Sequence, residues 1–357
     1  MSRSATTRAA TARAASARSA TTRPATAPEH PVIGLDLGGT KIDAALVAAD
    51  GSIQARHSVP TPAQQGAAAV LDALAIAAEA VRAPTAREAG TGQPSLPDTG
   101  VVPRAEAIGV AAAGVIDPVS GTVTSATDTL RGWAGTALAD ELSSRTGLPV
   151  ACDNDVRAAA YTELTHLDER SGSLVYAAVG TGVGGAVAAA GHMLHGAAGI
   201  AGHLGHLPVP EAAGLPCTCG AEGHLEAIAA GPAIAARYAR VTGTAVGPLQ
   251  RVASYAAHGD PHAVSAITFG ARAVGRALGG LANAFGPELV VVTGGVTRIG
   301  DLYWNALCEA FAGELMPPIR DLRISPPRVG HDAAVLGAAS LTRILPLHTH
   351  GTAGVPR

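Results

Sequence analysis

The sequence predicts an α/β protein of two lobes. Apolar strand-like runs alternate with Ala-rich helical stretches along most of the chain. Three apolar runs end in glycine turns, near residues 38, 180 and 294. With 357 residues and 47% hydrophobic content, the chain can bury two cores of ordinary size.

The elements follow in order. Val32 to Leu37 is an apolar run that stops at Gly38-Gly39, and a second run, Ile42 to Ala49, stops at Asp50-Gly51. A third segment covers Ile53 to Val59, so the three read as a meander joined by tight turns. An Ala-rich helix is expected over 66–82, then a long Pro/Gly/Thr loop over 84–103. A strand at 107–112, a helix at 135–146 and a strand at 149–153 continue the alternation. Strands at 173–179 and 185–190 flank a glycine turn, helices fill 225–284, and Leu289 to Thr293 is a buried strand before Gly294-Gly295. The last helix is expected over 331–344. The domain plan is an N-terminal lobe over 30–155, with 331–345 packing back on it, and a C-terminal lobe over 156–330. Flexible tails are expected at 1–29 and 346–357.

Composition narrows the partners. Arg3, Arg8, Arg13, Arg18 and Arg23 recur every five residues among Ala, Ser and Thr. That period places them on no single helical face, and nothing nearby forms an apolar face or a secretory h-region. Setting this tail aside leaves 20 bases against 28 acids, net −8, which argues against nucleic acid as the main partner. No uninterrupted apolar run is long enough to span a membrane. Four cysteines do not make a disulfide scaffold and suit a reducing, cytoplasmic compartment. Of 25 basic residues only one is lysine, Lys41. Coding bias accounts for the missing lysines but not for the position of this one.

Lys41 closes the turn Asp36-Leu37-Gly38-Gly39-Thr40-Lys41. Two glycines there present backbone N–H groups and the Thr40 hydroxyl to an anion, and Asp36 suits hydrated Mg²⁺ beside a phosphate. The second turn, Gly180-Thr181-Gly182-Val183-Gly184-Gly185, lets a polyphosphate lie close to the backbone. It matches neither a P-loop nor a dinucleotide fingerprint, because no Gly-Lys-Ser/Thr follows and a strand comes next. The third is Gly294-Gly295. Each turn alone would serve as an ordinary hairpin or strand-to-helix turn. Between the first two lies Asp155, in Cys152-Asp153-Asn154-Asp155, at a strand end and a helix start. A carboxylate at a helix N-terminus is expected to stay ionised and to accept a hydroxyl proton; the plainer alternative is a capping aspartate. Strand-Gly-Gly, an acid, a glycine hairpin and a second strand-Gly-Gly, in this order, resemble the actin/hexokinase-like ATPase superfamily. That resemblance implies two lobes clamping ATP in the cleft between them.

Downstream, His206, Cys217, Cys219 and His224 have the spacing His-x10-Cys-x-Cys-x4-His. Two thiolates and two imidazoles suit tetrahedral structural Zn²⁺, and the glycine turns between them allow the ligands to meet. Cys152 and Cys308 sit in apolar contexts as core residues.

With the sequence Gly205-His206 followed by Cys217-Thr-Cys-Gly-Ala-Glu-Gly-His224-Leu-Glu226, residues 31 to 345 resemble the ROK (repressor, open reading frame, kinase) family, in its glucokinase-like branch. The resemblance implies that Asp155 is the catalytic base and that Asn154, His206 and Glu226 contact a sugar. It also implies a homo-oligomer. Three positions depart from the family pattern. His203 stands where a sugar-binding glutamate is usual, Thr129 replaces the asparagine of the sugar loop, and His224 replaces a third cysteine. The first two alter hydroxyl recognition, so the expected substrate is a hexose or a glucose-shaped C7-cyclitol of the valiolone type, phosphorylated on a primary hydroxyl. Two other readings are a sugar-responsive ROK regulator without its DNA-binding domain, and an inactive sugar-binding protein. The roughly 30 residues before the first strand show no helix-turn-helix periodicity, and Asp36, Asp155 and the turns are all present.

Overall fold

The computed structural model describes residues 30–82, 104–245 and 247–349. The Arg-repeat tail, the 84–103 loop and residues 350–357 lie outside them. The N-terminal half forms β1 (Val32–Leu37), β2 (Lys41–Val47), β3 (Ile53–Pro60), α1 (Ala67–Arg82), β4 (Ile108–Ala112), β5 (Val115–Asp117), β6 (Thr122–Ser125), α2 (Leu138–Thr146), β7 (Val150–Asn154) and α3 (Asp155–Leu164). The remainder forms β8 (Leu174–Val179), β9 (Val183–Ala189), β10 (His192–Met193), α4 (Glu226–Ala229), α5 (Gly231–Thr242), α6 (Leu249–Ala257), α7 (Pro261–Phe285), β11 (Leu289–Thr293), α8 (Asp301–Glu314), β12 (Ile324–Ser325) and α9 (Ala333–Ile344).

Two five-stranded sheets share one plan. The first runs β3-β2-β1-β4-β7 and the second β10-β9-β8-β11-β12. In each, a central strand pairs antiparallel with the next strand in sequence and parallel with a later one: β1 with β2 and β4, β8 with β9 and β11. Central strands are buried on both faces, which explains why they read as continuous apolar runs. On one face of the first sheet α1 buries Val70, Leu71, Leu74, Ala77, Ala78 and Val81, spaced as one helical stripe.

Helices α3 and α9 lie between the sheets. Their small residues Ala158, Ala160 and Ala338 pack with Ala111 and Ala151 of the first sheet and Tyr176, Ala186 and Val291 of the second. The approach is close because of glycine: a Cβ on Gly109 would stand 1.7 Å from the Ala338 carbonyl oxygen, and one on Gly337 would stand 1.9 Å from that of Ala158. This packing brings the C-terminal ends of β1 and β7 toward the β8–β9 hairpin.

Several boundaries differ from expectation. Gly135 has φ +85°, so α2 starts only at Leu138. Strand β9 starts inside the glycine run, at Val183, leaving a turn closed by the Gly180 N–H donating to the Gly182 carbonyl at 2.8 Å. The long helical stretch divides into four, broken at Gly231-Pro232, at Gly243 (φ +68°) and at Asp260, which caps α7 through the amides of His262 and Ala263. Helix α8 is an addition to the expected elements. Residues 346–349 are not loose: His348 and Val150 exchange both backbone hydrogen bonds, at 2.8 and 2.9 Å, extending the β7 edge. No helix among the described residues is long and apolar enough to cross a membrane.

Candidate active site

Strand β7 leads directly into α3, and the junction carries Asp155. The N-cap is Asn154, not Asp155: its Oδ1 accepts from the amides of Val156 (3.0 Å) and Arg157 (3.2 Å). The Asn154 amide group donates to the Gly114 carbonyl at 3.0 Å and to Asp155 Oδ1 at 2.8 Å. Asp155 Oδ1 also accepts from the Val156 amide at 2.9 Å, so one carboxylate oxygen is pinned. These bonds and the Arg157 charge favour the ionised form, but burial is the larger influence and pushes the Asp155 carboxyl above its ordinary value. This corrects the expectation that the helix terminus alone decides its ionisation.

Asp36 is the penultimate residue of β1, at the same end of the first sheet. Burial, then the negative charges of Asp155 and Asp43, raise its pKa from 3.8 to about 7. The two carboxylates therefore share one field, the arrangement in which a divalent cation replaces repulsion by coordination. Lys41, at the close of the first turn, is paired with an acid. Its ammonium lies 2.6 Å from Asp43 and its side chain is 65% exposed, so the solitary lysine balances an acid beside Asp36. A cleft of about 420 Å³ is lined by Asp36, Lys41 and Asp43 together with Arg56, Ser58 and Asp332.

The three glycine turns converge on this region. In the first, the Gly38 amide donates to the Lys41 carbonyl, the Thr61 hydroxyl donates to the Gly38 carbonyl at 2.7 Å, and the Thr61 amide donates to the Thr40 carbonyl at 3.0 Å. Gly39 abuts Thr129, whose methyl would stand 3.0 Å from a Cβ there. The Thr129 loop is anchored by buried Leu130 and by Trp133, whose indole N–H donates to the Ala113 carbonyl. In the second turn, Gly184 lies against Val156, the residue after Asp155, at 2.6 Å from a Cβ position to the Val156 Cγ2. The third turn meets the second: Gly294 has φ +105°, and a Cβ there would stand 2.2 Å from the Val179 carbonyl oxygen. The Gly231 amide, at the start of α5, donates to the Gly180 carbonyl at 2.8 Å. Thr181 and Gly182 form the tip of the hairpin, and Gly295 follows the Gly294 turn into a short 3-10 helix.

The Cys/His loop packs on the second turn, where a Cβ on Gly205 would stand 2.2 Å from the Val183 carbonyl oxygen. The ligand atoms of His206, Cys217, Cys219 and His224 all lie within 4.8 Å of one another. Cys217 Sγ lies 3.5 Å from His206 Nδ1, and Cys219 Sγ lies 3.2 Å from His224 Nδ1. The Glu226 carboxylate ties the loop to the turn: Oε2 accepts from the Val183 amide at 2.8 Å and Oε1 from the Thr218 hydroxyl at 2.5 Å. His203 stacks near His206 with ring centroids 6.4 Å apart. Its Nδ1 lies 2.9 Å from the Ile200 carbonyl oxygen, which makes Nδ1 the donor and leaves Nε2 an acceptor in the neutral ring. Burial lowers its pKa, favouring that neutral ring.

Sequence reasoning misses three residues of the neighbourhood. Asp153 and Arg157, 0% and 1% exposed, form a buried ion pair beside Asp155, and partly exposed His195 joins them through Asp153. The signal is present in the sequence: an acid and a base four apart, Asp153 and Arg157, flanked by the apolar strand and an Ala-rich helix.

The ROK family pattern matches residues 32–93 and 98–344. A glucokinase of Halalkalibacterium halodurans is 32% identical over 329 residues, 87% of this chain and 94% of that protein. Among solved structures, the ROK hexokinase of Thermus thermophilus superposes with a TM-score of 0.72 at 35% identity, over 87% of this chain and 97% of its own. A ROK family glucokinase of Streptomyces griseus, solved with glucose and AMPPNP, gives 0.68 at 29% identity, over 87% and 98%. The two like sheets are thus those of the actin/hexokinase-like ATPase fold, and the chain belongs to the ROK family.

Proposed function

We propose that this protein is an ATP- and Mg²⁺-dependent kinase that transfers the γ-phosphate to a primary hydroxyl of a hexose-like polyol. The observation that carries this reading is Asp155, a half-buried carboxylate pinned through one oxygen, adjoining the glycine hairpin and sharing a field with Asp36. The relatives named glucokinase and hexokinase support it.

Asp155 Oδ2 is the oxygen left to receive the substrate hydroxyl's proton. As the O–H bond breaks, the hydroxyl oxygen bonds to the γ-phosphorus, the bond to the β-phosphate oxygen breaks, and ADP leaves. A carboxylate raised by burial is a stronger base than one in water, and such help is typically worth about 10²–10⁴-fold. The hairpin 180–184, the 38–41 turn and Gly294-Gly295 cradle the nucleotide phosphates. Asp36 is the carboxylate that would hold hydrated Mg²⁺, which would supply neutralisation of the phosphate charge and leave Asp155 Oδ2 free for the proton. His206 and Glu226 orient the sugar ring, with Thr129 and His203 at its rim and Asn154 beside Asp155. All four polar valences of the Asn154 amide are already in use, so it acts chiefly by aiming Asp155.

The Cys₂His₂ group fits zinc. Four ligand atoms within 4.8 Å of one another need only a small contraction to reach tetrahedral spacing, and two thiols with two imidazoles are the donor set that this metal takes. Bound there, Zn²⁺ would hold the loop that presents His206 and, through Thr218 and Glu226, the hairpin.

His203 and Thr129 favour a polyol whose hydroxyls match an imidazole and a hydroxyl in place of a carboxylate and an amide. A plain hexose and a valiolone-type C7-cyclitol both satisfy that pattern. Release of ADP is to be measured with glucose, mannose, N-acetylmannosamine, fructose and valiolone-type cyclitols. At least one should be phosphorylated at a rate dependent on ATP and Mg²⁺; no phosphate ester from any of them would contradict the reading.

A further inference from the structure

Beside Asp155 the guanidinium of Arg157 makes four hydrogen bonds, spread over all three of its nitrogens. Its Nε donates to Asp153 Oδ1 at 2.8 Å, Nη1 to the Gly199 carbonyl at 2.9 Å and to that of Ala201 at 3.4 Å, and Nη2 to the Ile116 carbonyl at 3.2 Å. Asp153 Oδ1 also accepts the Asn154 amide at 2.7 Å, while Oδ2 lies 2.8 Å from His195 Nε2. One buried ion pair therefore joins three separate pieces of chain: the β7–α3 junction bearing Asp155, the β5 strand, and the 195–201 segment that runs into His203 and His206. Arginine suits this task because its planar donors have fixed directions, which an ammonium lacks. Gly202 seats the end of this segment on β9, where a Cβ would stand 2.8 Å from the Ala186 Cα, but its ties to the β7–α3 junction run through Arg157 and Asp153. Gly196, Gly199 and Gly202 all have positive φ, and its own backbone bonds are short-range turns.

We propose that Arg157 is a positioning residue: it sets the distance between Asp155 and the His203–His206 segment, with Asp153 and His195 holding the guanidinium in register. The proposal rests on the kinase reading for its kinetic consequence, but not for its structural one. A shift of about an ångström between reacting groups costs up to about 10²-fold, so loss of this clamp acts on sugar turnover although Arg157 touches no substrate.

The test is Arg157→Lys in the full chain, with two readouts. In steady-state kinetics, kcat/KM for the sugar should fall at least about tenfold while KM for ATP stays unchanged. In amide hydrogen exchange, residues 199–206 should exchange faster while β1, β4 and β8 keep their protection. His195→Ala, which removes a partly exposed partner, should shift both readouts the same way by less, and decides the matter if Arg157→Lys does not fold. Unchanged sugar kinetics with unchanged exchange would overturn the proposal. So would parallel loss for sugar and ATP with exchange accelerated throughout, since that is general destabilisation. Should the wild-type protein phosphorylate no sugar, the kinase reading fails, and the exchange pattern still decides whether the clamp exists.

Discussion

Replacing Asp36 with asparagine should make the metal-free protein more stable at pH 8 while removing its activity. In the folded chain this carboxyl titrates near 7 instead of 3.8, chiefly because it is buried and secondarily because Asp155 and Asp43 are close. A folded-state pKa above the unfolded one contributes stability that is fully present below pH 4 and lost as pH rises through 7. A shift of about 3 units corresponds to a ceiling of about 4 kcal/mol at 1.36 kcal/mol per unit. Asp36 is only partly shielded from solvent, so a working figure is about 1–3 kcal/mol. The asparagine side chain keeps the shape and carries no charge. Urea unfolding at pH 5 and pH 8 with EDTA should show a wild-type midpoint that falls with pH and a steeper relative gain for Asp36→Asn at pH 8. Added Mg²⁺ should raise the wild-type midpoint and leave the variant where it was. If Asp36→Asn is less stable than wild type at pH 8 without metal, the carboxylate is not held against its own charge and the argument fails.

Chelation, or Cys217→Ser, should release zinc detectable by elemental analysis and lower the thermal midpoint, with faster exchange in residues 203–226; a metal-free protein of undiminished stability would count against the site. His203→Glu should lower the KM for glucose relative to other polyols, since it replaces a neutral acceptor by a bidentate carboxylate; an unchanged preference among sugars would show that position 203 does not read hydroxyls. Gly294→Ala should destabilise by several kcal/mol, because its Cβ would sit 2.2 Å from the Val179 carbonyl oxygen at a φ of +105°, and a thermal midpoint equal to wild type would refute that geometry.

What the sequence discloses depends on how local the cause is. The glycine turns are legible because strand, turn and strand are adjacent in sequence, and Leu289–Thr293 is located to the residue. The Cys/His group is legible from donor chemistry and from intervening turns. Helix α8 escapes although Tyr303, Leu307 and Phe311 recur every four residues and are buried, because Trp304 and Cys308 between them obscure the stripe. At the β7–α3 junction the residue types suggest a cap and a base, and it is the folded turn that gives Asn154 the first role. The ion pair of Lys41 with Asp43, two residues along, is not legible because the two side chains meet only once β2 is formed. The close approach of α9 to Gly109 and the reach of Arg157 to residues 116, 199 and 201 join segments far apart in sequence, which no local pattern encodes.

The central claim is that Asp155 deprotonates a polyol hydroxyl for transfer of the ATP γ-phosphate. The most direct measurement is mass-spectrometric detection of a sugar or cyclitol phosphate formed from ATP and Mg²⁺, by wild type and Asp155→Asn in parallel. The account predicts a monophosphate ester from wild type and a rate lower by about 10²–10⁴-fold in the variant, at a thermal midpoint no lower than that of wild type. A variant that forms the ester at the wild-type rate would contradict it.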